Sequence, residues 1–241
     1  MSSKKLMIVS GDSFTTSRYI SMHYPKVNTN WTVWPDLVAD KLNMTLINLA
    51  KSGYGNEYIY SSLLDEIVKH PIEDIGFVFA GWTEPKRMDW AVKGYWESDL
   101  MIQSFLQARQ PGGDAQHQIN KTLRYQYSFQ QVMKSLNLPF AQIQMLGLGR
   151  HDDGIKRNKV FKPKWGAEGY KLSDRCRFKF DKTFIDHTRH YKWGAECEIV
   201  SHEVEKGYRI GPADEHFNEK GHKLFADYVF DAITKKGLLN V

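Results

Sequence analysis

Apolar residues fall into short dense runs separated by longer stretches in which they recur every three or four positions. Leu6-Met7-Ile8-Val9, Thr45–Leu49, Ile75-Gly76-Phe77-Val78-Phe79-Ala80 and Ala141–Leu146 have the length and density of strands covered on both faces. Between them lie helical patterns. Trp34-Pro35-Asp36 opens one, with Pro35 suited to a first turn and Leu37, Val38 and Leu42 as its apolar stripe. Ile59, Leu63, Leu64, Ile67 and Val68 mark a second, which Pro71 breaks. Glu97–Ala108 and Asp114–Leu136 read as two more, separated by Pro111-Gly112-Gly113. A last helix follows Asn218, a candidate N-cap, with Leu224, Phe225, Tyr228, Val229, Ala232 and Ile233 on one face. The alternation predicts a mostly parallel sheet with helices on both sides, a three-layer α/β/α sandwich.

From Gly147 to Gly211 the pattern lapses. Cys176–Phe180 alternates like a strand, and Lys164-Trp165-Gly166-Ala167-Glu168 is echoed by Lys192-Trp193-Gly194-Ala195-Glu196, too short a repeat for a solenoid. The chain of 241 residues thus reads as a single domain, 1–241, carrying an insertion at about 150–210 that lies over the carboxyl edge of the sheet. Charge singles out the same segment. Between Arg150 and Arg209 stand 15 Lys and Arg against 10 Asp and Glu, which accounts for the whole net charge of +5. Interleaved acids and the lack of any nucleic-acid motif argue against a nucleic-acid partner. Trp165, Tyr170 and Trp193, with Trp82, are candidate substrate contacts, since flat rings with a polar edge suit sugars. Packing of a lid is the plainer use for them. Two cysteines, Cys176 and Cys197, lack metal-ligand spacing and fit a reducing compartment, so neither metal nor organic cofactor is expected. No run is long enough to span a membrane, and no export signal is recognisable, which leads to the expectation of a cytoplasmic protein.

Candidate chemistry gathers where strands end. Gly11-Asp12-Ser13 follows the first strand and sets a hydroxyl at the carboxyl edge, where open α/β sheets bind their ligands. Taken alone, these three residues are simply turn formers. A serine nucleophile needs a base, a carboxylate to orient that base, and donors for the oxyanion. Asp214 and His216, two residues apart before the last helix, can supply the first two. The turns Asn48-Leu49-Ala50-Lys51-Ser52-Gly53-Tyr54-Gly55-Asn56 and Gly81-Trp82-Thr83-Glu84-Pro85 close the second and third strands in the same layer.

In this order along the chain, the sequence resembles the SGNH (GDSL-like) hydrolases, and bacterial and phage members among them; a phage source would imply association with the virion. Gly11-Asp12-Ser13 is similar to the first block, Asn48–Gly53 to the second, and Asp214-Glu215-His216 to the last. The resemblance covers roughly 1–146 and 211–241 and implies a flavodoxin-like sandwich and a serine esterase without metal or cofactor. It assigns Ser13 as nucleophile, His216 as base, Asp214 as its acid, and the N–H groups of Ser13 and Gly53 as oxyanion donors. Asp12 shapes the turn. The implied substrate is an acyl or acetyl ester of a carbohydrate or another small polar molecule. Two positions depart from the pattern. The third block has Thr83 in place of an oxyanion-binding Asn, which leaves Thr83, or else Asn56, as the side-chain donor. The acid stands two residues before His216, where three is usual. These departures keep a second reading open, a catalytically impaired module that binds carbohydrate.

Overall fold

The computed structural model describes residues 4–85, 87–92, 95–100, 115–146, 180–185 and 207–239. In chain order its elements are β1 (Leu6–Ser10), α1 (Trp34–Lys41), β2 (Thr45–Asn48), α2 (Asn56–Ile67), β3 (Ile75–Trp82), β4 (Arg87–Val92), β5 (Tyr95–Leu100), α3 (Ala115–Ser135), β6 (Phe140–Gln144), β7 (Arg209–Gly211), β8 (Asp214–Phe217) and α4 (Glu219–Lys235). The four apolar runs form one parallel sheet in the order β2-β1-β3-β6.

Because side chains alternate across a strand, each strand feeds two cores. Met7, Val9, Phe77, Phe79, Ala141 and Ile143 pack on one side with Trp34 and Val38 of α1 and Phe225, Val229 and Ile233 of α4. Ile8, Val78, Ala80 and Phe140 pack on the other with Ile59 and Leu63 of α2 and Phe129 and Met133 of α3. β1 and β3, buried on both faces, are the continuous hydrophobic runs such a sheet requires. The fold is the expected three-layer α/β/α sandwich.

Two expectations are corrected. The helix read over Glu97–Ala108 begins in β5, an antiparallel partner of β4; residues 101–108 lie outside the described residues. Pairing with a neighbouring strand outweighs a helix-like spacing of apolar residues. The hairpin then serves α2: the Asp89 carboxylate accepts from the N–H groups of Gly55 and Tyr58, at 2.7 and 2.9 Å, and caps that helix. Residues 180–185, expected within the insertion, belong to the sheet's edge. The Gln142 N–H donates to the Thr183 carbonyl at 2.9 Å and the Ile185 N–H to the Gln142 carbonyl at 2.8 Å, while Phe184 and Ile185 are buried. The echo, the body of the Cys176–Phe180 strand, Trp165, Tyr170 and Trp193 lie outside the described residues. Among the described residues no helix is long and apolar enough to cross a membrane.

Candidate active site

The nucleophile turn is built by Asp12. Its carbonyl accepts from the N–H groups of Thr15 and Thr16, and its Oδ1 from the Phe14 N–H at 3.0 Å, so the chain turns sharply after β1 and presents Ser13. A side chain at Gly11 would meet the Thr15 hydroxyl at 2.5 Å, so the turn closes only with glycine there. Trp34, fully buried at the head of α1, donates its indole N–H to the Phe14 carbonyl at 3.0 Å and holds the far side of the turn.

Asp214 and His216 lie on β8, paired antiparallel with β7. Positions two apart on a strand share a face, which is why this spacing can serve a carboxylate and the imidazole it supports. His216 Nδ1 is 2.7 Å from Asp214 Oδ1, which also accepts the His216 main-chain N–H at 3.0 Å. His216 Nε2 is 2.7 Å from Ser13 Oγ. The imidazole is held between two rings, Tyr19 at 3.8 Å and Phe14 at 4.4 Å between centroids, both nearly parallel to it. The Tyr19 hydroxyl donates to the second oxygen, Asp214 Oδ2, at 3.0 Å.

The charges follow. Burial lowers the His216 pKa below its usual value against the opposing pull of Asp214, so the imidazole is neutral near pH 7 and able to accept a proton. Burial works to raise the Asp214 pKa, but hydrogen bonds from Ser21 and from the main chain and ring of His216 bring it below the usual range. Burial, then the bond to Asp214, raises the Tyr19 phenol, which stays a donor. His222 on α4 is buried, with its pKa lowered to about 3, and its Nδ1 accepts the Trp34 N–H at 3.3 Å. This histidine is structural and caps α1.

The side-chain donors expected for the oxyanion are engaged elsewhere. The Thr83 hydroxyl, fully buried, donates to Asp12 Oδ2 at 2.7 Å, and its main-chain N–H donates to Asn56 Oδ1 at 2.8 Å. Asn56 Nδ2 donates to the Thr83 carbonyl at 2.9 Å and to the Thr122 hydroxyl at 3.1 Å. Both assignments are therefore corrected: a carboxylate beside Thr83 captures its hydroxyl, and α2 points Asn56 into the sheet edge. Trp82, offered as a substrate contact, has no exposed surface and donates to Gln142 at 2.8 Å, because β3 runs on through it. Gly53 takes the left-handed conformation, φ 87°, that its turn requires, but does not line the cleft over Ser13. The Ser13 N–H makes no hydrogen bond among the described residues. That cleft, of about 300 Å³, is bounded by Ser13, His216, Tyr19, Met22, Arg87 and Glu215 among others. Among the described residues no group of three or more His, Cys, Asp or Glu could hold a metal ion.

No family model matches the chain, and no curated protein matches it. Solved structures do. The lipase Lip_vut3 from a goat rumen metagenome is 11% identical, with 95% of this chain and 97% of that one covered and a TM-score of 0.51. TesA is 8% identical over 96% and 99%, also with a TM-score of 0.51. A catalytic mutant of an acetylxylan esterase from Geobacillus stearothermophilus is 14% identical over 97% and 95%, with a TM-score of 0.49. The chain shares the fold of the Lip_vut3 lipase and TesA structures. On this scaffold Ser13, His216 and Asp214 meet from opposite ends of the chain, whereas Thr83, Asn56 and Trp82 turn inward. The residues that sequence reasoning missed are Phe14, Tyr19, Ser21 and Arg87. The unusual length and aromatic content of the segment after Ser13 was a signal for the first three; nothing in the local sequence pointed to Arg87.

Proposed function

We propose that this protein is a serine ester hydrolase of the SGNH type. The observation that carries the proposal is the run of hydrogen bonds from Ser13 Oγ through His216 to Asp214, both 2.7 Å, opening into a cleft at the carboxyl edge of the sheet. Ser13 Oγ attacks the ester carbonyl carbon as its proton passes to His216 Nε2, and the carbonyl electron pair becomes the oxyanion. Asp214 fixes the tautomer with the proton on Nδ1 and stabilises the imidazolium that forms. When the tetrahedral intermediate collapses, the departing alkoxide takes the proton from Nε2. A water, activated by the same nitrogen, then releases the acid and restores Ser13. The Ser13 main-chain N–H, with no hydrogen bond among the described residues, supports its assignment to the oxyanion.

We assign a short acyl group, acetyl foremost, on a small polar or carbohydrate alcohol. A cleft of about 300 Å³ bounded by Tyr19, Met22, Arg87 and Glu215 mixes apolar and charged walls and has little room for a long chain. The test is labelling with a fluorophosphonate, followed by hydrolysis of p-nitrophenyl acetate, butyrate and octanoate. The proposal expects label on Ser13 and kcat/KM falling with chain length. An unlabelled Ser13 with no turnover on any ester would overturn the chemistry, and a preference for octanoate would overturn the substrate class.

A further inference from the structure

Arg87 opens β4, and its side chain is only 9% exposed, yet it borders the same cleft as Ser13 and His216. A guanidinium carries five N–H donors, and burying one is costly unless they are engaged. Here Nη1 donates to the Tyr54 carbonyl at 3.3 Å, and that is its one hydrogen bond among the described residues. Asp12 Oδ2 and Glu84 Oε1 approach at 3.5 Å, ion-pair contacts rather than good hydrogen bonds, and the buried Nε has no hydrogen-bond partner. The group is thus flanked by two carboxylates, and its Nη2 donors make no hydrogen bond among the described residues at the wall of a cleft that Ser13 also lines.

Its place matters as much as its valence. Asp12 precedes Ser13 directly, and the same Asp12 oxygen receives the Thr83 hydroxyl and the Arg87 guanidinium. The Arg87 charge also lies close enough to oppose protonation of His216. We propose that Arg87 is the side-chain donor of the oxyanion hole, replacing the donor that Thr83 and Asn56 do not supply. This rests on the ester-hydrolase reading above. As Ser13 Oγ bonds to the carbonyl carbon and its proton goes to His216, the electron pair pushed onto the carbonyl oxygen is met by a guanidinium N–H and the Ser13 N–H. The same pair returns to the carbonyl when the alkoxide leaves, and Arg87 neither gains nor loses a proton. In this role Asp12 and Glu84 aim the guanidinium, and the capture of the Thr83 hydroxyl by Asp12 is part of the same arrangement.

The experiment compares wild type with Arg87→Met, Arg87→Lys and Arg87→Ala on p-nitrophenyl acetate, with thermal melting as the folding control. Loss of one oxyanion donor lowers kcat by about 100-fold or more, so Arg87→Met is expected to fall by that factor with KM changed less than about threefold. Arg87→Lys retains an intermediate rate, and added guanidinium ion restores part of the Arg87→Ala rate, which a purely structural role would not allow. A folded Arg87→Met with kcat within about threefold of wild type would overturn the inference. If Arg87→Met fails to fold, Arg87→Lys decides: unchanged kcat overturns it, and reduced kcat at unchanged KM upholds it. Wild type labelled by fluorophosphonate at Ser13 while Arg87→Met stays fully active removes the role of Arg87 alone. Wild type neither labelled nor active removes the hydrolase reading and this inference with it.

Discussion

The two halves of the cleft are built on different plans. On the proton-handling side, Ser13, His216 and Asp214 stand in line at hydrogen-bonding distance, and Tyr19 and Phe14 press the imidazole from both faces. On the charge-receiving side, Thr83 and Asn56 bond to each other, the Thr83 hydroxyl is taken by Asp12, and a nearly buried, half-satisfied arginine borders the cleft instead. The first half is a set of residues whose types alone imply their task. In the second, residue types mislead, because a hydroxyl or an amide donates to whatever acceptor its backbone aims it at. Identity predicts chemistry only where local geometry leaves no rival partner.

The comparison breaks at once if the proton-handling half is dispensable. Ser13→Ala and His216→Ala should each lower kcat/KM by about 10⁴-fold or more while melting like wild type; esterase activity surviving in Ser13→Ala would end the assignment. Asp214→Asn should cost about 10³- to 10⁴-fold, because an amide can favour the wrong tautomer, while Glu215→Gln changes little. The opposite ranking would transfer the role to Glu215.

Smaller effects sharpen the contrast. Burial holds the His216 pKa low, and the neutral base is the active form, so activity is lost as pH falls through that lowered value. Tyr19→Ala wets the imidazole and frees Asp214 Oδ2. The acid limb of kcat/KM should then move to higher pH, towards the ordinary histidine value, with the plateau about tenfold lower. Tyr19→Phe, which keeps the ring, should leave the limb nearly in place. An unmoved limb in Tyr19→Ala would show that the ring does not set the base. Thr83→Val is the mildest. Its hydroxyl bonds a buried carboxylate, and such a bond contributes about 1.5–3 kcal/mol. Since each kcal/mol shifts the melting of a domain this size by about 2–4 °C, Tm should drop by several degrees with kcat nearly intact. A large fall in kcat at unchanged Tm would return the hydroxyl to the oxyanion.

What was legible in the sequence divides along the same line. The sheet could be read because β1 and β3 are buried on both faces and must be continuously apolar. The positions of Ser13, Asp214 and His216 could be read because turns at strand ends share one edge. β5 could not, since Glu97-Ser98-Asp99-Leu100 carries no strand alternation and only its partner β4 makes it extended. Residues 180–185 were hidden for a similar reason: their place is set by the open edge of β6, which no local window contains. Arg87 is the clearest case, a charged residue after a turn whose meaning comes wholly from Asp12, Glu84 and Tyr54.

The Ser13–His216 bond joins positions 203 apart, and the Tyr19–Asp214 bond positions 195 apart. β1 sits between β2 and β3, so the nucleophile is fixed by the first half of the chain, whereas its base arrives with the hairpin before α4. At the usual pace of translation, about 5–20 residues per second, roughly 10–40 s separate the synthesis of the two residues. Through that interval the nascent polypeptide carries an ordinary alcohol at position 13. In the proposed mechanism Ser13 becomes a nucleophile only once the β7–β8 hairpin has been synthesised and has closed on the turn after β1, so activation waits on a contact across 203 positions.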